Sequence, residues 1–334
     1  MAAQRRREQS GPQLGIGAVC ETSAVDRAQQ APAGISGGLR GREILTLRSV
    51  AQCTSAEFKS PRLGTSERVR RDCGEDAFFL AAPTATSAAV GIADGVGGWA
   101  SQGIDPALFA WELMNRCKDA AEARGQVKSP ACAEAPANPK RLIECGYEML
   151  KRAEGGAPLG SSTACVASLD RKRGELRIAN LGDSGALLIR GSSGECVLES
   201  RAQQHGFNCP YQLMVAPEGR FSHGSKDYTG GDLPEQADEY VAQVEVGDLL
   251  ILATDGLLDN VSAEQAVAVA SSMRTSNPEA IADSLVSMAR RRSLGTEATP
   301  FSMAARAAGI RHVGGKPDDI TVVVARVERT AQVE

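Results

Sequence analysis

Histidine is scarce in this chain of 334 residues, which has only His205, His223 and His312. That excludes a histidine-rich transition-metal site. None of the nine cysteines forms a Cys-x-x-Cys pair. Neither a zinc site nor a disulfide framework is indicated, and reduced, structural thiols are the expectation. No apolar run approaches the roughly 18 to 20 residues of a membrane span. Positive charge is not in excess either: the net charge is −4, which gives no reason to expect a nucleic-acid partner. No repeat at a period of about 20 to 50 residues is visible.

What is present is enough apolar material, 42% of residues, for a substantial core. Residues 1 to 45 read as a leader outside that core. The first 50 residues hold seven arginines and four acids (Glu8, Glu21, Asp26, Glu43) but no lysine. Two readings stay open: a mitochondrial or plastid transit peptide, or a plain disordered tail on a cytoplasmic protein. Residues 46–330 read as a single domain with a long aperiodic loop at about 206–240, where function often resides.

Within the domain, "SAAVGIA" ending at Ala93 reads as a buried strand. Asp105-Pro106, Asn138-Pro139 and Asn277-Pro278 each pair an N-cap residue with proline at the first helical position. Ser262 and Gln265 form a capping box. "STACVASLD", "ELRIANLGDSGALLIR" and "DLLILATDG" read as strands, the middle one as a hairpin turning near Gly182 to Gly185. "DITVVVARV" has the β-branched composition of a central strand. Helices grouped between runs of strands predict an α+β layered fold.

Acids recur at the ends of these strands. Asp94 follows "AAVGIA"; Asp255 follows "LILAT", with Asp259 four residues on. Asp318 and Asp319 precede the last strand, Glu75 and Asp76 precede another, and Asp183 sits at the predicted turn. Any one of them is an ordinary turn former. Together they concentrate negative charge, and carboxylates are almost never buried unpaired. A set of carboxylate oxygens without Cys or His suits hard ions, Mg²⁺ or Mn²⁺. Glycine beside Asp94 and Asp255 leaves room for backbone carbonyls and water.

The segments "GIADGVGGW", "GSSTAC", "ANLGDSG", "QQHGFNCPYQL", "ATDGLLDN" and "GGKPDDITV" resemble, in order, the motifs of the metal-dependent Ser/Thr protein phosphatases, the PPM or type 2C family, and its Ptc-seven-like branch. The resemblance implies a four-layer α-β-β-α sandwich of two antiparallel sheets flanked by helix pairs. It implies hydrolysis of phosphoserine or phosphothreonine in a phosphoprotein by an ion-activated water, with two Mg²⁺ or Mn²⁺ ions and room for a third. Asp94 would bridge two ions with the Gly95 carbonyl as a further ligand. Asp255 and Asp318 would complete the first ion's shell, and Glu75 and Asp76 would act at the second. Asp183 and Asp259 match acids that hold a third, weaker ion in some relatives. Arg71, four residues before Glu75, matches a phosphate-binding arginine, with Arg68 and Arg70 as rivals. A monomer, and for this branch a mitochondrial setting, are the further expectations.

One position departs from the family pattern. Many members carry histidine after the Asp-Gly of the first motif, to protonate the leaving oxygen; here it is Val96. "GDSG" at 182–185 also resembles a serine-protease nucleophile motif. All three histidines follow Ser184, so the trypsin and subtilisin orders fail. His205 reads as a core or loop-anchoring residue. A catalytically weak or inactive phosphatase-like binding module is the alternative to an enzyme, and retention of every expected acid argues against it.

Overall fold

A strand buried on both faces needs apolar side chains at every position, because successive residues point to opposite sides. The segment Ile320–Thr330 meets that demand: Ile320, Val322, Val323, Val324 and Val327 are all fully buried. The computed structural model describes residues 44–56, 73–122, 132, 137–217 and 231–330. All but the last two positions of the predicted leader lie outside the described residues. So do Arg68, Arg70, Arg71, His223 and the middle of the 206–240 loop.

Two five-stranded antiparallel sheets form the centre. In the first, β1 (Ile44–Thr54), β14 (Ile320–Thr330), β13 (Leu249–Ala253), β7 (Gly185–Ile189) and β8 (Cys196–Glu199) lie side by side in that order. In the second the order is β12 (Asp238–Gln243), β6 (Glu175–Leu181), β5 (Ala164–Asp170), β3 (Ser87–Asp94) and β2 (Asp76–Leu80). Two short pairs join β4 (Gly160–Ser162) to β11 (Leu213–Val215) and β9 (Gln204–Gly206) to β10 (Cys209–Pro210). The helices are α1 (Pro106–Ala121), α2 (Pro139–Lys151), α3 (Asp255–Leu258), α4 (Ala263–Ser272), α5 (Pro278–Ser293) and α6 (Pro300–Ala307).

Three apolar layers follow from side-chain alternation. Val90, Ile92, Leu169, Leu188, Leu252, Val323 and Val327 fill the space between the sheets. The other face of β14, with Ile320, Val322 and Val324, packs with Ile281 and Leu285 of α5 and Ala266 of α4. Phe79, Ala93 and Val166 of the second sheet meet Phe109 and Leu113 of α1 and Leu142 and Leu150 of α2. Burying each of these large side chains contributes about 1.5–3 kcal/mol. The result is the expected α-β-β-α sandwich.

The predicted caps form. Asp105 accepts Ala107 N at 3.1 Å, Asn138 accepts Lys140 N at 3.0 Å, and Asn277 accepts Ala280 N at 2.8 Å. Ser262 and Gln265 cap each other reciprocally.

Two expectations are corrected. Residues 175–190 are not a hairpin: β6 belongs to the second sheet and β7 to the first. Residues 182–184 carry the chain across the sandwich, and Gly182 takes a φ of 107° to do so. Both strands are apolar because both are sandwiched, so their composition could not distinguish a turn within one sheet from a crossing between two. Nor are the thiols all reduced. Cys53 is joined to Cys73 and Cys132 to Cys145. Cys53 ends up beside Cys73 through packing of separate segments, which no local spacing motif records.

Candidate metal centre

Strand register brings the first two acids together. In the β2–β3 ladder Asp76 lies opposite Asp94, an arrangement that repels unless a cation intervenes. Across the sandwich, β13 runs into Thr254, the N-cap of α3, so Asp255 is the first residue of that helix and Asp259 its C-cap. Asp318 and Asp319 precede β14, the neighbour of β13. Thr254 Oγ1 donates to Asp76 Oδ2 at 2.9 Å and ties the two sheets together at this end. A cavity of about 760 Å³ opens there, lined among others by Glu75, Asp94, Gly95, Asp183, Asp255 and Asp318. Asp183 and Asp259 both line a smaller adjoining cavity of about 320 Å³.

The two acids before β14 have different tasks. Asp319 is buried and accepts the Ala56 and Glu75 amides, each at 2.7 Å. It fixes the start of β2 and so the position of Glu75 and Asp76. Asp318 faces the cavity. Gly95 is required sterically, since a β-carbon there would lie 2.7 Å from the carbonyl oxygens of both Glu75 and Pro106. Asp94 is held by its own backbone, which accepts Thr163 N and donates to Thr163 Oγ1, both at 3.0 Å.

Electrostatics show the cost of this crowding. Burial, then the charges of Asp319 and Asp318, holds the Asp76 carboxyl well above its usual range. Burial, then Asp255, Asp76 and Asp318, does the same to Asp94. Asp183 and Asp259 are each pushed up to about 7, first by burial and then by Asp255. These are groups that would release their protons to a cation.

Lys316, a residue missed by the sequence reading, lies inside the cluster. Its Nζ is 2.5 Å from Asp255 Oδ2, 2.8 Å from Asp259 Oδ2 and 3.2 Å from Asp318 Oδ2. It also donates to Asn208 Oδ1 at 3.2 Å. Burial pushes this ammonium's pKa down, but the three carboxylates outweigh it and hold the pKa well above its ordinary value. The signal was in view, in "GGKPDDITV", two residues before Asp318.

The donor set fits hard divalent cations. It is all oxygen, and Asp76 Oδ1 is buried with no hydrogen-bond partner among the described residues. Among those residues no group of three or more acids is arranged to hold a metal ion as it stands. Lys316 accounts for that on the Asp255 side, where its ammonium separates Asp255, Asp259 and Asp318.

The remaining predicted residues can be placed as well. Val96 lines the cavity. His205 is a loop anchor: its Nε2 lies 3.0 Å from the Asp232 carboxylate and its ring stacks on Tyr211 at 4.1 Å. Ser184 is buried and shares a hydrogen bond with Thr163 Oγ1 at 2.9 Å, which is not the environment of a nucleophile. Arg71 lies outside the described residues.

Residues 84–328 match the family model described as Stage II sporulation protein E (SpoIIE). The chain is 40% identical over 261 residues to Protein phosphatase PTC7 homolog fig of Drosophila mojavensis, covering 76% of this chain and 78% of the relative. With the Drosophila grimshawi protein of the same name it shares 38% over 304 residues, covering 85% and 93%. The X-ray structure of the photosystem II phosphatase PBCP superposes with a TM-score of 0.65 at 27% identity, over 84% of this chain and 99% of that one. A serine/threonine phosphatase of S. agalactiae, at 14% identity and a TM-score of 0.52 over 84% and 100%, shares the fold.

Proposed function

This chain belongs to the PP2C-type protein phosphatases, among relatives named PTC7 homologues, and from that premise we propose that it hydrolyses phosphoserine and phosphothreonine in proteins with two Mg²⁺ or Mn²⁺ ions. The observation that carries the reading is the convergence at one cavity of Asp94, which faces the buried Asp76 across β2 and β3, with Asp255 and Asp318, which flank strands of the other sheet.

Asp94, the Gly95 carbonyl, Asp255 and Asp318 would hold one ion, and Glu75 and Asp76, together with Asp94, the second. Such ions supply a water of lowered pKa as the nucleophile and offset charge on the phosphoryl oxygens. The chain's own part is to fix these oxygens on strand ends, where packing of both sheets prevents them from relaxing apart. Glycine at 97 leaves room for the Glu75 carboxylate, which a β-carbon there would approach to 2.6 Å. Arg71 is assigned to the phosphate from its offset to Glu75. Val96 cannot give a proton to the leaving serine oxygen, so that proton comes from a different group.

Phosphate release from a phosphothreonine peptide tests this. EDTA is expected to abolish it and Mn²⁺ or Mg²⁺ to restore it; full activity in excess chelator would sink the two-ion reading. The arginine-biased leader supports delivery to a mitochondrion or plastid, which imaging of a C-terminally tagged chain would decide.

A further inference from the structure

Lys316 is not an ordinary surface ion pair. Its side chain is 17% exposed and contacts three carboxylates and Asn208. The buried Asn260 amide fixes its backbone from both sides, accepting Lys316 N at 2.9 Å and donating to the Lys316 carbonyl at 2.9 Å. The Phe301 ring flanks the ammonium, its centroid 5.2 Å from Nζ. Backbone and head are therefore both held, so moving the lysine aside would break several contacts at once. The two acids that line the smaller cavity are engaged by the chain itself: Asp259 by Lys316, and Asp183 by Gln204 Nε2 at 2.9 Å.

We infer that Lys316 is a resident cation of this centre. Its ammonium takes the position among Asp255, Asp259 and Asp318 that a further divalent ion would otherwise occupy, and so limits the site to two ions. The same ammonium fastens Asn208, at the tip of the β9–β10 hairpin, to the wall of the metal cavity. The inference rests on the two-ion reading above, but its test is a difference between variants and does not depend on how many ions the native chain holds.

The metal-stripped full-length chain is dialysed against Mn²⁺, and bound ions are counted by elemental analysis and by loss of the free Mn²⁺ spin-resonance signal. Lys316→Met keeps the apolar stem and removes the charge. It is expected to bind one ion more per chain than wild type, and Lys316→Arg the same number as wild type. No gain in Lys316→Met, or a gain in Lys316→Arg, overturns the inference. A wild-type count of none or one would instead overturn the two-ion reading and leave that difference to decide on Lys316. Should Lys316→Met fail to fold, Asp259→Asn in the native background decides. The ion count and Mn²⁺ affinity are expected to stay within about threefold of wild type, because the lysine already engages Asp259. Loss of one ion would show that Asp259 is a ligand and overturn the inference.

Discussion

Asp94 is the residue on which most of the site depends, since it faces Asp76 across the ladder and lines the same cavity as Asp255 and Asp318. Asp94→Ala and Asp255→Ala are each expected to lower turnover by about 10³-fold or more, comparable with loss of a main electrostatic element. The fold should survive, because removing one acid relieves the crowding. Near-normal turnover at saturating Mn²⁺ would remove either residue from the ligand set. Val96 calls for a different measurement. General-acid help is worth roughly 10²- to 10⁴-fold for a poor leaving group and little for nitrophenolate. Val96→His is therefore expected to raise turnover on a phosphoserine peptide more than on p-nitrophenyl phosphate. Equal changes on both substrates would mean that Val96 does not stand at the proton-donor position.

At the scale of elements, the junction of β1, β2 and β14 sets the geometry of the acid cluster. Asp319 holds it by accepting two buried amides, and hydrogen bonds to a charged group are worth about 1.5–3 kcal/mol each. Asp319→Ala should lower the urea midpoint by the equivalent of about 3 kcal/mol with an unchanged slope, and weaken Mn²⁺ binding through misplaced Glu75 and Asp76. Asp318→Ala should weaken Mn²⁺ binding with a much smaller loss of stability. If the two variants exchanged behaviours, the roles of the pair would be reversed. The family resemblance singled out Asp318 as the ligand, but the structural task of Asp319 was not legible in "KPDDITV", where two identical acids stand side by side. Legibility was greatest where a rule is local: proline after Asp105, Asn138 or Asn277, the Ser262–Gln265 box, the β-branched run of β14. It failed where geometry is long-range. The crossing at Gly182 and the joining of Cys53 to Cys73 depend on which sheet a strand enters, and that is settled by packing. The acids were found because each ends an apolar run, whereas Lys316 lies in a loop and was passed over.

For the molecule as a whole, the acid cluster makes stability depend on pH in an unusual direction when metal is removed. Asp183 and Asp259 titrate near 7 in the folded chain because of burial and the nearby Asp255, against about 3.9 unfolded. Asp76 and Asp94 are shifted the same way. Between those limits the native state binds more protons than the unfolded state, so stability falls as pH rises. The contribution is complete below about pH 4 and lost as pH passes through 7. Lys316 is also shifted upward, but its contribution is lost only at alkaline pH, outside this window. The metal-stripped chain is thus expected to melt several degrees lower at pH 8 than at pH 5.5. Saturating Mn²⁺ should cancel or reverse that slope, because the cation binds ionised carboxylates and its affinity grows as they lose protons. Thermal melts followed by circular dichroism across the range, with EDTA and with Mn²⁺, measure both slopes. A metal-free melting temperature that climbs from pH 5.5 to 8 would mean that the carboxylates are not crowded in solution, and the case for a cation-binding centre at this end of the sandwich would lose its electrostatic basis.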